Sequence, residues 1–384
     1  MIGSKLYARW MYRWETALTT MDSNRIIRPV EWGFDWLRDF APSAGLAGGE
    51  AEMLDLNDFI LRHRTEFFAY QTPRDFELEE RHPQLFPTNV RPKTLQQDAR
   101  LRKQAAEGRM SKAQFLRFTS PVSTPYPEND RVNARWFPAP AGRKRGKSKQ
   151  AIIVMPQWNA DAFSHNALCS LFNRFGVSAL RLSKPYHDIR RPAELARADY
   201  AVSANIGRTI ASCRQAVIDI RCCVDWLQQQ GYEQFGVLGT SLGSCYAFLA
   251  AAMDSRIRVT AFNHASMSFG DVVWTGQSTR HIRAAFEAIG MTHQRLRDVW
   301  AAISPSHYMD LFARDPRKIL MIHAKYDLTF LEEYSLQVIE NFRRRGVDFV
   351  SRVLPCGHYT TGETPYKFMD GWYIGSFVYS AFKQ

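Results

Sequence analysis

One pentapeptide constrains this chain more than any other feature. An apolar strand candidate, Phe235–Leu238, runs directly into Gly239-Thr240-Ser241-Leu242-Gly243, and a helix candidate, Leu242–Met253, starts without a linker. A reversal from strand to helix over so few residues forces the apical serine into strained backbone angles. Small residues two positions before and after it make room for the close approach. The serine Oγ then stands above a sheet edge, beside a helix N-terminus whose free N–H groups can stabilise an oxyanion. The pentapeptide alone is weak, because chance supplies it in roughly one chain in eight of this length. The strand before it and the helix after it make a nucleophile elbow the better reading than a Gly-rich turn.

A serine hydroxyl is inert without a base, and the base needs an orienting carboxylate. The chain order that accompanies such an elbow is Ser, then Asp or Glu, then His. Asp327 follows strand candidate Ile319–His323, and His358 follows strand candidate Phe349–Leu354. Both are therefore expected in loops at the sheet edge that carries Ser241, with a helix cap and a surface loop residue as their simpler alternatives. Asp310 and Asp315 come before their strand, and Asp348 falls at the opposite edge. Cys356 reads as a small strand-end residue and His323 as a core histidine. The remaining histidines have no H-E-x-x-H or other close ligand spacing, so neither a metal nor another cofactor is expected.

From Phe115 onward strand and helix candidates alternate. Phe115–Val122 and Val132–Phe137 read as antiparallel starting strands, followed by strands Ala151–Met155, Val177–Leu182 and Val259–Asn263. Helices are expected at Phe163–Arg174, Ser212–Gln229, Leu331–Arg345 and Tyr366–Phe382. This order predicts an α/β fold, a mostly parallel sheet with helices on both faces. Residues 266–308 are too long for a simple connection, and Trp274, Ile282, Phe286, Ile289 and Trp300 suggest a helical cap over a pocket. Residues 1–114 read as a mainly helical N-terminal extension, with a turn or linker at 42–49, before a main domain at 115–384.

Residues 115–384 resemble the α/β-hydrolase superfamily, and within it the group of α/β-hydrolase domain-containing protein 18. The subgroup resemblance lies in Lys184-Pro185-Tyr186-His187-Asp188-Ile189-Arg190-Arg191-Pro192, and in Asp225-Trp226-Leu227 through Gly231-Tyr232 to Gly236 and Gly239. It implies a serine hydrolase acting on acyl esters, lipid esters included. The oxyanion hole is expected to use the N–H of Leu242 plus one from the loop after strand Ala151–Met155. That loop reads Pro156-Gln157-Trp158-Asn159-Ala160, where many superfamily members have His-Gly-Gly. Trp158 is the expected second donor and Gln157 the alternative. Gln157, Tyr186 and Arg190 are candidates for substrate binding; Arg190 and its neighbour Arg191 could reach an anionic substrate group, with arginines that merely solvate a loop as the alternative. An acyltransferase or peptidase with the same three residues, and a silent hydrolase fold used for binding, stay open as alternatives.

Fifty Lys and Arg against 38 Asp and Glu leave a charge of +12 over 384 residues. The excess is spread, apart from the run Arg143–Lys149, which reads as a solvated loop between two strands because no nucleic-acid module surrounds it. Helix candidate Lys5–Thr16 sets Leu6, Tyr7, Trp10 and Trp14 beside Lys5, Arg9 and Arg13. It reads as a cover on the main domain, with peripheral membrane contact as the alternative. The longest apolar run, Cys245–Met253, is under half a membrane span. Arg9 and Arg13 break any signal-like apolar stretch, and six cysteines without a CxxC pair suit a reducing compartment. The expectation is a cytoplasmic enzyme acting on a small-molecule or lipid ester, with no nucleic-acid partner.

Overall fold

The computed structural model describes residues 2–22, 24–38, 40, 48–140 and 148–383. Its nine strands are β1 (Glu77–Arg81), β2 (Ala113–Thr119), β3 (Arg131–Phe137), β4 (Lys149–Met155), β5 (Ser178–Ser183), β6 (Tyr232–Thr240), β7 (Ile257–Asn263), β8 (Lys318–Ala324) and β9 (Val350–Leu354). They form one sheet in the order β1-β2-β3-β5-β4-β6-β7-β8-β9. The pairs from β1 to β5 through β3 are antiparallel, and every pair from β5 to β9 is parallel. The expected α/β architecture is the observed one.

Burial on both faces explains the unbroken apolar central strands. In β4, Ala151, Ile153 and Met155 join one core cluster while Ile152 and Val154 join the other. Helices Ile206–Gln229 and Leu242–Met253 pack on the first face. Helices Asn166–Arg174 and Tyr366–Ala381 pack on the second, with Met11 of helix Ile2–Thr20. Two elements differ from expectation. Helix Ile206–Gln229 starts six residues before Ser212, with Asn205 Oδ1 accepting the Arg208 N–H at 2.8 Å. The strand pattern also begins before Phe115, because Glu77–Arg81 pairs antiparallel with β2.

Among the described residues no helix is long and apolar enough to cross a membrane. Helix Ile2–Thr20 buries Met11 and Glu15 against the body and leaves Leu6 and Trp10 exposed. The basic run falls at 143–147 outside the described residues, as do residues 42–47 of the expected linker; Lys149 opens β4.

Candidate active site

Parallel strands end at one edge of a sheet, and ligands bind there in open α/β folds. The 156–160 loop leaves that edge from β4, Ser241 from β6, Asp327 after β8 and His358 after β9. Ser241 holds φ 57° and ψ −121°, an angle pair that few L-residues adopt. The flanking glycines are required by contact. A Cβ on Gly239 would stand 2.2 Å from the Gly243 carbonyl oxygen, and one on Gly243 would stand 2.2 Å from that of Met155. The turn is fixed further by the Ser241 N–H, which donates to the Asn263 carbonyl at 2.7 Å.

The three residues singled out by chain order come together. Ser241 Oγ lies 3.0 Å from His358 Nε2, and His358 Nδ1 lies 2.9 Å from Asp327 Oδ2. An ionised carboxylate only accepts, so Nδ1–H donates to Asp327 and Nε2 is left to accept from the serine. Asp327 Oδ1 takes the N–H groups of Thr329 and Phe330, both at 2.7 Å. Burial works against the Asp327 charge, but His358 and a second imidazole beside it, His264, hold its carboxyl far below the usual range. Burial likewise opposes charge on His358, yet the Asp327 carboxylate leaves its pKa raised above the ordinary histidine value. The Phe330 ring stacks on the imidazole at 5.4 Å.

Two partners were not anticipated. His264, one residue past β7, places Nδ1 3.0 Å from the same Asp327 oxygen, and its ring centre lies 4.5 Å from that of His358. Burial, with the neighbouring His358, holds His264 neutral. The ligand atoms of His264, Asp327 and His358 lie within 4.8 Å of one another, the one grouping among the described residues with the spacing of a metal site. Of the two imidazoles, His358 makes the hydrogen bond to this carboxylate, and His264 Nδ1 stands within 3.0 Å of the same oxygen. Glu15 reaches in from helix Ile2–Thr20 and accepts the N–H groups of Tyr359 at 2.8 Å and Thr360 at 3.0 Å, bracing the His358 loop.

The oxyanion candidates face the same place. Among the described residues no acceptor takes the Leu242 or Trp158 amide, and both residues line a cavity with Ser241. The 156–160 loop is braced by two residues of the Lys184–Pro192 stretch. Lys184 Nζ donates to the Gln157 carbonyl at 3.0 Å, and His187 Nε2 accepts the Asn159 N–H at 3.1 Å. Burial pushes the pKa of both far down, so His187 is neutral, with Nδ1–H donating to the Pro185 carbonyl.

Tyr186 and Arg190 lie elsewhere. Arg190 is fully buried, with Asp219 at 2.9 Å and the carbonyls of Asn129 and Ser183 taking its N–H groups. Lying just past β5 does not bring it to the pocket, because a desolvated guanidinium is held by its buried carboxylate. Tyr186 is buried against Tyr126 and Tyr200. Arg191 donates towards the Phe86 carbonyl instead of a cavity. Asp310 pairs with Arg64 at 3.0 Å, and Asp348 is exposed. His323 is buried in β8, and burial pushes the Cys356 thiol up to about 12.

Two cavities meet at Ser241. The smaller, about 50 Å³, is walled by apolar side chains that include Val202, Leu242, Phe269, Val272 and Val273. The larger, about 870 Å³, is lined by His358, Gln157, His165, Asn263, Phe368 and Asp370 among others. Asp370 is pushed up to about 7 by burial, while the Asn263 amide at 3.0 Å from both its oxygens works the other way. Residues 266–308 are helical and do wall the small cavity, but through Phe269, Val272 and Val273. Of the five aromatic and aliphatic residues expected to do so, Phe286 and Trp300 pack on each other in the core. Ile289 is exposed, and Trp274 stacks on His293.

No protein-family model and no curated protein matches this chain. Solved structures do. Acetyl xylan esterase 1 from Thermoanaerobacterium sp. JW/SL YS485 superposes with a TM-score of 0.55 at 14% identity, over 84% of this chain and 93% of that one. The acetyl xylan esterase from Paenibacillus sp. R4 gives 0.54 at 13% identity, over 89% and 98%. An acylaminoacyl peptidase from Pyrococcus horikoshii gives 0.52 at 10% identity over 70% of this chain, and the match spans only 46% of that peptidase. With its nine-stranded, mostly parallel sheet and helices on both faces, the chain has the α/β-hydrolase fold.

Proposed function

We propose that this chain is a serine hydrolase that cleaves an acyl ester through an acyl-enzyme. The observation that carries the reading is the unbroken line from Ser241 Oγ to His358 to Asp327, at 3.0 and 2.9 Å. As Oγ attacks the carbonyl carbon, its proton passes to His358 Nε2, and the imidazolium formed is stabilised by Asp327. The Leu242 and Trp158 N–H groups hold the oxyanion. Collapse breaks the bond to the alcohol oxygen, which takes the proton from Nε2. Water then repeats the sequence and releases the acid and free Ser241. Lys184 and His187 are buried props beneath the 156–160 loop that would supply the second oxyanion donor.

A small organophosphate, diethyl 4-nitrophenyl phosphate, tests it. The wild type should gain one diethylphosphoryl adduct on Ser241 by intact mass and peptide mapping, and Ser241→Ala should gain none. A folded wild type that takes up no adduct, or an adduct that persists in Ser241→Ala, defeats the proposal.

A further inference from the structure

The two cavities at Ser241 differ in size and in the groups they present. His358 lines the large cavity and is absent from the walls of the small one, whereas Leu242 walls the small one and not the large. Chemistry assigns the two parts of an ester to these spaces. The imidazole that takes the serine proton must return it to the departing alcohol oxygen, so the alcohol leaves on the side where His358 is exposed. The acyl group extends the other way, past the oxyanion amides, into the small cavity. One water-sized group needs about 10–15 Å³ of such space, so a volume near 50 Å³ admits about four of them. The walls there are packed. Phe269 is 6 % and Val273 3 % exposed, and Phe269 meets Trp300 edge-on at 5.4 Å. Resting on the serine-hydrolase reading, we propose that the substrate is an ester with a short acyl part, about two to four carbons, and a bulky alcohol part.

The large cavity suits an alcohol of mixed character, because amides, Asp370 and His165 share it with Leu168, Leu171 and Phe368. Long-chain acyl esters, the lipid substrates that the family resemblance allowed, would have to place their chain where only a few carbons fit. Each methylene that does not fit a formed pocket costs about ten-fold or more in rate.

Two isomeric esters separate the sides of the carbonyl. Hexyl acetate and ethyl hexanoate share one formula and similar hydrophobicity, and both release a primary alcohol; only the position of the long chain differs. The wild type should favour hexyl acetate in kcat/KM by at least about ten-fold. Val272→Ala, which removes two methyl groups from the half-buried wall of the small cavity, should raise the relative rate on ethyl hexanoate at least about three-fold. Equal rates, a preference for ethyl hexanoate, or a ratio unmoved by Val272→Ala would overturn the inference. So would a protein that takes the diethylphosphoryl label yet turns over neither isomer, and in these cases the serine-hydrolase reading stands. No label together with no turnover defeats that reading itself, and the inference with it.

Discussion

Ser241 concentrates what single residues do here. Its backbone angles are of a kind that typically costs about 1–3 kcal/mol, and the fold sustains them only because Gly239 and Gly243 admit the Gly243 and Met155 carbonyls. Asp327 is the residue where function and structure are most easily confused, since its Oδ1 also caps the turn at Thr329 and Phe330. The two roles separate by variant. Asp327→Asn keeps the shape but loses the charge that stabilises the imidazolium, so kcat on a short ester should fall about 10³–10⁴-fold with KM little changed. Asp310→Asn, which breaks only a surface pair with Arg64, should stay within a few-fold of wild type. Near-wild-type turnover by Asp327→Asn would remove it from the proposed relay. Ser241, Asp327 and His358 were legible because each sits just past a strand in a fixed chain order. His264 was not: a lone histidine after β7 has no motif, and only the neighbouring places of β6, β7 and β8 in the sheet bring it to Asp327. Arg190 misled for the opposite reason, since sequence gives no sign that Asp219 on a helix will bury it.

Among the elements, those with strong periodicity or uniform apolarity were readable, and those fixed by tertiary contact were not. Strand β1 reads Glu-Leu-Glu-Glu-Arg, which has the charge of a solvated segment. It becomes a strand because it edges the sheet beside β2, where charged side chains are tolerated and discourage further pairing. Helix Ile206–Gln229 starts early because tertiary contacts take its first N–H groups, those of Ile206 and Gly207 going to the Glu31 and Trp32 carbonyls. Gly207, a poor helix former, is required there because a Cβ would stand 1.9 Å from the Gly33 carbonyl oxygen. Helix Ile2–Thr20 combines both cases: its aromatic spacing was visible, while the use of Glu15 was not. That carboxyl is buried under the His358 loop and adds negative charge near the imidazole, which raises the His358 pKa. The proposed reaction needs neutral His358, so removing the charge should lower its pKa and move the acidic limb of the kcat/KM profile to lower pH. Glu15→Gln should show that downward displacement. Glu15→Ala also leaves the Tyr359 and Thr360 N–H groups without their acceptor, at about 1–3 kcal/mol each, and should lower the unfolding free energy accordingly. A pH profile identical to wild type in Glu15→Gln would mean that the carboxyl only ties down the loop.

At the scale of the whole molecule, the segments before residue 115 are threaded through the rest instead of standing beside it. One supplies β1, one braces the His358 loop, and helix Glu50–Arg62 locks the cap. Asn57 makes that lock. Its Nδ2 donates to the Val299 carbonyl at 2.9 Å and its Oδ1 accepts the Ala302 N–H at 2.8 Å, both out of water, while Met53, Leu56 and Ile60 join the larger core. Arg295 pairs with Glu50 and Arg64 with Asp310 at the rim, contacts that add little in water. We therefore propose that residues 1–114 and the main domain unfold together, although chain order and composition suggested two parts. Asn57→Ala strands one buried carbonyl and one buried N–H, for a loss of about 2–5 kcal/mol. If the molecule is a single cooperative unit, calorimetry should show one transition at a temperature lower by about 5 °C. Because Val299 and Ala302 belong to the segment that walls the small cavity, the preference for hexyl acetate over ethyl hexanoate should weaken in the same variant. Two resolved transitions, only one of them displaced, would show that the N-terminal segments are a separable domain. An unchanged single transition would show that the Asn57 bonds are replaced by water and that the cap is held by its apolar contacts alone.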